Sequence, residues 1–158
     1  MSDYGLFYRN CKSRIFNYLM RMTGDHSLAG DIMQETFARH LDRYGETNRD
    51  IPLLYRICRN CFIDEMRKRK EQRDATEEEL PDASIDQDRQ LLIRSEYRCV
   101  LSAMASLEKS EREILSLAAE GDLSYAEIAS LVGISEGNVK VKVHRARLKL
   151  RQILKGEW

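Results

Sequence analysis

The sequence predicts an all-α protein: two small helical domains joined by a flexible acidic linker, the second domain carrying a helix-turn-helix. Three observations lead there. Apolar residues recur at steps of three and four through most of the chain, and no β-alternation of useful length occurs. That rhythm lapses over residues 71–90, the stretch EQRDATEEELPDASIDQDRQ. Two prolines and eight glycines in 158 residues are too few for a turn-rich β-sandwich or a disordered chain.

Composition narrows the classes further. Lys and Arg total 26 and Asp and Glu total 26, so the formal net charge is zero, and a third of the chain is charged. The balance is uneven along the chain: residues 1–70 carry 13 basic and 9 acidic side chains (+4), residues 71–95 carry 3 and 8 (−5), and residues 96–158 carry 10 and 9 (+1). Residues 138–155 hold seven Lys or Arg and no acid, which points to a polyanionic partner at that end. No apolar run reaches the 18 residues of a membrane span. The start of the chain lacks the basic-then-apolar pattern of a secretory signal, so a cytoplasmic protein is expected. Four cysteines (Cys11, Cys58, Cys61, Cys99) are too few and too scattered to staple a secreted fold.

Taken in order, Phe7, Cys11, Ile15, Leu19 and Met22 form one helical stripe, with Gly24 as its stop. Leu28, Ile32, Met33, Phe37 and Leu41 mark a second helix, with Asp31, Gln34, Glu35 and Asp42 on its polar side. Residues 45–50 (GETNRD) read as a loop, and Pro52 suits the first turn of a third helix. There Leu54, Cys58, Phe62 and Met66 recur every four residues, with Ile57 and Cys61 beside them, and the helix runs out in RKRK at residues 67–70. Residues 71–92 cannot bury enough surface to offset their ordering entropy, so a flexible linker is expected. The rhythm resumes at Ile93, Tyr97, Val100, Leu101 and Met104. Ser110 to Glu113 (SERE) and Ser124 to Glu127 (SYAE) each have the spacing of a capping box. Leu123 and Ile128 fall at the staple positions of the second box, and Gly121 and Gly133 are stops. Ser135 can cap a last helix through Val143, Ala146, Leu150 and Ile153.

Two short helices joined by a tight glycine turn make a helix-turn-helix: residues 125–132, the turn Gly133-Ile134-Ser135, and a second helix from Glu136. Ala129 is small where the helices must approach, and Ile128, Val132, Ile134, Val139 and Val143 form the buried seam. Outward on the second helix lie Asn138, Lys140, Val141, Lys142, His144, Arg145 and Arg147. An amide, a compact apolar group and a row of cations suit base edges and phosphates in a major groove. In the first half, Arg56, Arg59, Asn60 and Arg67 offer cations for phosphates and an amide for a base.

Three segments then resemble one family in order. Residues 123–154 closely resemble the −35-reading domain of bacterial extracytoplasmic-function (ECF) sigma factors of the sigma-70 family. Residues 30–44 are similar to that family's clamp-binding helix, with D-x-x-Q-E at Asp31, Gln34 and Glu35. Residues 53–70 are similar to its promoter-melting helix, with L-Y-R-I-x-x-N at Leu54, Tyr55, Arg56, Ile57 and Asn60. The resemblance implies a transcription initiation factor that binds core RNA polymerase, directs it to promoters and opens the DNA. It implies a region 2-like domain at 1–70, an acidic linker at 71–92 along the path of the RNA, and a region 4-like domain at 93–158. Asp31, Gln34 and Glu35 would meet the polymerase β′ coiled coil. The loop residues Glu46, Thr47, Asn48, Arg49 and Asp50, with Asn60 and the Arg56, Arg59 and Arg67 face, would read and open the −10 element. Ser135, Glu136, Asn138, Lys140, Val141, Lys142, His144, Arg145 and Arg147 would read −35, beside the β flap. An anti-sigma factor is a further expected partner. The family usually has an aromatic residue, often Trp, where this chain has Leu53; the nearest aromatics are Tyr44 and Tyr55.

Cys58-x-x-Cys61 lies on an apolar stripe with no second Cys pair or nearby His pair to complete a zinc site, so core cysteines are expected and no metal. No catalytic triad spacing or phosphate-cradling glycine loop is present, so the chain is read as a non-enzyme without cofactor or small-molecule substrate. Other classes compatible with the residues are a sigma-like decoy that binds a regulator without DNA, a stand-alone helix-turn-helix repressor, and a redox or metal enzyme using Cys58 and Cys61.

Overall fold

The structure is a computed structural model and describes residues 3–76 and 95–157, all of whose regular elements are helices. They are α1 (Asp3–Thr23), α2 (His26–Tyr44), α3 (Ile51–Thr76), α4 (Ser95–Ala105), α5 (Lys109–Ala118), α6 (Tyr125–Val132) and α7 (Glu136–Glu157). Most of the stretch expected as a linker, with Ile93, lies outside the described residues.

In the first half, α1 buries its whole expected stripe of Phe7, Cys11, Ile15, Leu19 and Met22. Gly24 ends it with φ +66° and an N–H donated to the Met20 carbonyl at 2.8 Å. Asp25 then caps α2, its carboxylate accepting the Leu28 N–H at 3.1 Å. The buried face of α2 is Leu28, Ala29, Ile32, Thr36, Phe37 and His40. Leu41, expected inside, is exposed, and His40 takes its place. Asp50 caps α3 by accepting the Leu53 N–H at 3.2 Å. Helix α3 continues to Thr76, six residues beyond the expected end. Helix-favouring Lys, Arg, Glu and Gln extend an already nucleated helix without needing an apolar stripe, and Glu65–Arg69 adds an i,i+4 pair.

In the second half, α6 has the expected capping box: Ser124 Oγ accepts the Glu127 N–H and Glu127 Oε1 accepts the Ser124 N–H. Leu123 and Ile128 are both buried at the staple positions. The expected box at Ser110 does not form. Helix α5 starts at Lys109, after Glu108, whose side chain makes no cap. Ser110 accepts a hydrogen bond from Lys142 Nζ at 3.1 Å, and buried Glu111 holds Lys149 Nζ at 2.9 and 3.0 Å. Arg112 reaches backward instead, donating to the carbonyls of Met104, Ala105 and Leu107 where α4 ends.

The halves share one continuous core. Helix α1 packs on α2 with one face and on α4 and α5 with the other, so Tyr18 and Met20, off the expected stripe, are buried as well. The rings of Tyr18 and Tyr55 meet edge-on at 6.0 Å. A polar rim joins the halves: Arg14 pairs with Asp122, Arg21 with Glu120 at 2.8 Å, and Arg59 with Glu113. Tyr55 also donates its hydroxyl to Asp122 Oδ2 at 2.8 Å.

Candidate nucleic-acid and polymerase interfaces

The turn before α7 is set by Gly133, at φ +78° and ψ 34°, which only glycine occupies without strain. Its N–H and that of Ile134 both donate to the Ala129 carbonyl, at 2.9 and 3.1 Å. Ser135 Oγ accepts the Asn138 N–H at 3.1 Å and starts α7. Val139, Val143 and Ala146 bury the inner stripe, with Ile128 and Ala129 buried across from them. The same stripe turns Ser135, Glu136, Asn138, Lys140, Val141, His144, Arg145 and Arg147 to the outside. Lys142 is half-buried and held by Ser110, so it belongs partly to the α5–α7 contact. Lys149, another cation of the same row, is tied to Glu111. Leu148 and Arg151 are also exposed; Leu148 stands seven residues after Val141, a spacing that puts both on one face of the helix.

The loop at residues 45–50 is organised by its own polar groups. Arg49 donates to the carbonyls of Glu46 and Asn48 at 2.6 and 2.8 Å, with its guanidinium 5.0 Å from the centre of the Phe7 ring. Asn48 Oδ1 accepts the Asp50 N–H at 2.9 Å and faces His40 Nε2 at 3.2 Å. Glu46 and Thr47 are exposed. Beside the loop, Thr47, Arg49, Asp3, Leu6, Phe7 and Asn10 line an open recess of about 410 Å³. On α3, Arg56, Asn60 and Arg67 are exposed, with Arg67 bonded to Asp64 at 3.1 Å. Arg59 departs from that face: its guanidinium is engaged by Glu113 of the other half. Tyr55 is buried, and with its hydroxyl bound to Asp122 it offers no stacking face, whereas Tyr44 is exposed.

Asp31, Gln34 and Glu35 are all exposed on α2. Asp31 and Glu35, with Arg39, Asp64, Glu65 and Lys68, line a recess of about 310 Å³ between α2 and α3. Gln34 lies outside it, 3.5 Å from the Tyr8 hydroxyl. Four carboxylates around two cations leave that groove acidic. Cys58 and Cys61 are buried in the α2–α3 contact, and desolvation pushes both thiols up, Cys58 the further. Among the described residues no group of three or more His, Cys, Asp or Glu is placed to hold a metal ion.

A capped helix, a left-handed glycine turn and a second helix with an outward cationic row define a DNA-binding helix-turn-helix protein, here fused to a second helical unit. Residues 7–72 match the family described as Sigma-70 region 2, and residues 97–150 match Sigma-70, region 4. The chain is 31% identical over 150 residues to the ECF RNA polymerase sigma factor SigM of Bacillus subtilis (strain 168), covering 92% of this chain and 91% of that one. It is 32% identical over 157 residues to the RNA polymerase sigma factor CarQ of Myxococcus xanthus, covering 94% and 87%. Its fold is that of the sigma factor RpoE from Bartonella quintana, solved in complex with the anti-sigma factor NepR, with a TM-score of 0.75, 22% identity and 98% of each chain covered. CnrH, solved with the cytosolic domain of CnrY, gives a TM-score of 0.69 at 22% identity, over 98% of this chain and 89% of that one.

The chain belongs to the ECF sigma factors of the sigma-70 family, non-enzymatic proteins that direct RNA polymerase to promoters through regions 2 and 4. No helix among the described residues is long and apolar enough to cross a membrane.

Proposed function

We propose that α7 reads the −35 element from the major groove while the first half opens and reads −10. The observation that carries this is the outward row of α7. Asn138, Lys140, Val141, His144, Arg145 and Arg147 stand exposed on the helix that follows the turn, and Val141 is 45% exposed despite being apolar. An apolar group among donors suits a thymine methyl beside base-edge acceptors, and the flanking cations suit phosphates. Ser135 and Glu136 sit at the start of the same helix. Lys142 contributes less than its neighbours because Ser110 holds it. The −10 surface comprises the 45–50 loop with Arg56, Asn60 and Arg67; Tyr44 is its available aromatic. Arg59 joins that surface only if its pair with Glu113 opens.

The acidic groove lined by Asp31 and Glu35, with Gln34 at its margin, docks the β′ coiled coil of core polymerase, and the second half lies against the β flap. The working units are a region 2-like domain over 1–70, extended through α3 to Thr76, and a region 4-like domain over 93–158, joined by an acidic linker within 71–92. An anti-sigma factor is a further partner, a reading supported by the structural neighbour RpoE, co-crystallised with the anti-sigma factor NepR. The site of action is the cytoplasm.

The test is reconstitution with core polymerase on a randomised promoter library. The proposal expects selected templates to share two separate elements at fixed spacing, and Arg145→Ala to relax preference in the upstream element only. Selection of one element, or a transcript pattern indifferent to Arg145, would refute the division of labour.

A further inference from the structure

We infer that His40, a residue with no access to DNA, is the positioning residue for the promoter-facing loop at 45–50; the inference rests on the −10 reading of that loop. His40 is fully buried, in a place on α2 where the helical stripe calls for an apolar side chain. Its ring lies among Tyr4, Phe7 and Tyr44, at centroid distances of 5.9, 5.4 and 6.0 Å. An apolar residue would fill that aromatic box without any polar group to satisfy. What the imidazole adds is a directed hydrogen bond to the loop.

The geometry fixes the direction of that bond. A backbone N–H only donates, so the Asn48 atom facing the Asp50 N–H at 2.9 Å is the carbonyl oxygen Oδ1. The same oxygen lies 3.2 Å from His40 Nε2, so Nε2 carries the proton and donates. Tyr4 gives its own hydroxyl proton to the Phe37 carbonyl at 3.0 Å, with its oxygen 3.5 Å from Nδ1, which keys the ring to both α1 and α2. Asn48 is thereby held from two sides, by His40 behind the loop and by Asp50 within it. Asp50 in turn caps α3 through the Leu53 N–H at 3.2 Å. A chain of hydrogen bonds therefore runs from the buried imidazole through Asn48 and Asp50 to the first turn of the helix that presents Arg56 and Asn60. Arg49, anchored on Phe7 and on the carbonyls of Glu46 and Asn48, closes the other side of the loop. A loop held in one shape before it meets an unpaired base does not incur the ordering cost on binding.

The experiment uses full-length protein with core polymerase on a promoter chosen by the wild-type holoenzyme from a random library. It reads permanganate reactivity of −10 thymines on that template and on templates substituted at −10. His40→Phe keeps the ring in its box and removes the donor. His40→Gln can present a side-chain amide N–H near the place of Nε2, and is the rescue. The inference expects His40→Phe and Asn48→Ala each to lower opening selectivity about two- to tenfold, the worth of one net hydrogen bond. The double variant should be no worse than either single one, polymerase affinity should be unchanged, and His40→Gln should recover most of the selectivity. Thr47→Ala, whose side chain is outside the chain of bonds, tests the loop itself. If Thr47→Ala lowers selectivity while His40→Phe does not, or if the His40 and Asn48 effects add, the positioning inference falls and the −10 reading stands. If all of these variants open DNA with unchanged selectivity, the −10 reading of the loop falls first.

Discussion

Removing the carboxylate of Asp122 tests whether the two halves form one cooperative unit. Asp122 lies in the turn between α5 and α6, and its side chain is 11% exposed. Asp122→Ala deletes two contacts of different strength. The Tyr55 hydroxyl, on a residue only 1% exposed, loses a charged acceptor at 2.8 Å, at a cost of about 1.5–3 kcal/mol. Arg14 is 39% exposed and can turn to water, so its lost ion pair costs about 0.2–1 kcal/mol. The sum is roughly 2–4 kcal/mol, or a fall in melting temperature of about 6–12 °C for a chain of this size. Asp122→Asn keeps an acceptor for Tyr55 and should cost less than half as much. Urea unfolding of the full chain, followed by helical circular dichroism, measures these differences, and a cycle with Tyr55→Phe isolates the hydroxyl–carboxylate coupling. In the weakened variant the single transition should broaden or split as the halves uncouple. An Asp122→Ala protein within about 0.5 kcal/mol of wild type, with no coupling to Tyr55, would refute the reasoning.

Three further outcomes are expected. Lys140→Ala and Arg145→Ala should each weaken promoter binding by the holoenzyme by about 1–3 kcal/mol if a base edge is lost, or lower the salt slope by about one if a phosphate is lost; titration at several salt concentrations separates the two, and no change in either quantity contradicts the groove assignment. Asp31→Lys should reduce affinity for core polymerase, read by fluorescence anisotropy, while unfolding stability stays within about 0.5 kcal/mol because the side chain is exposed; unaltered affinity removes Asp31 from that surface. Burial raises the Tyr18 and Tyr55 phenols above 10.0, with the Asp122 hydrogen bond adding to the rise at Tyr55, and burial raises the Cys58 and Cys61 thiols above 9.0. Near pH 7 these groups are neutral in both states. As pH rises past 9 and then 10 the unfolded chain ionises first, so stability should fall. Tyrosinate absorbance from the two buried rings should appear together with loss of helical dichroism, and its appearance in a still-folded protein would contradict their placement.

The local grammar of the chain carried most of the fold. The α1 stripe, the capping box at Ser124, the Gly133 turn and the Ser135 cap are all set by residues within four positions of one another, and all form as expected. The run of α3 past residue 70 is a matter of local propensity; the other departures share one physical origin, which is contact with distant chain. Ser110 has the spacing of a cap, yet its oxygen is taken by Lys142, 32 residues away. Tyr55 has the chemistry of a stacking platform, yet Asp122, 67 residues away, holds its hydroxyl at the seam between the halves. His40 was unreadable for a related reason. Histidine is intermediate in burial, so its type does not settle its side, and only the meeting of Tyr4, Phe7 and Tyr44 around it, with Asn48 from the loop, gives burial a hydrogen-bonded outcome.

The same origin explains why a count of cations overstates the nucleic-acid surface. Arg56 and Arg59 are chemically identical and three positions apart on α3; the second is withdrawn by Glu113, 54 residues further on. On α7 the sorting follows from angle. At about 100° per residue, Lys142 and Lys149 lie about 300° and 280° around the helix from buried Val139, on the flank that α5 covers, where long side chains reach Ser110 and Glu111. Lys140 and Arg147 lie on the opposite flank, about 100° and 80° around. Val141, His144, Arg145 and Leu148 face away from the seam. A row of seven basic residues in the sequence thus becomes a face chosen by the position of one neighbouring helix. Charge reversal at Glu111 supplies the check on that account: Glu111→Lys should release or repel Lys149 and lower stability, because it puts two cations where α5 meets α7. A variant as stable as wild type would mean that the α5–α7 contact does not choose which cations face outward.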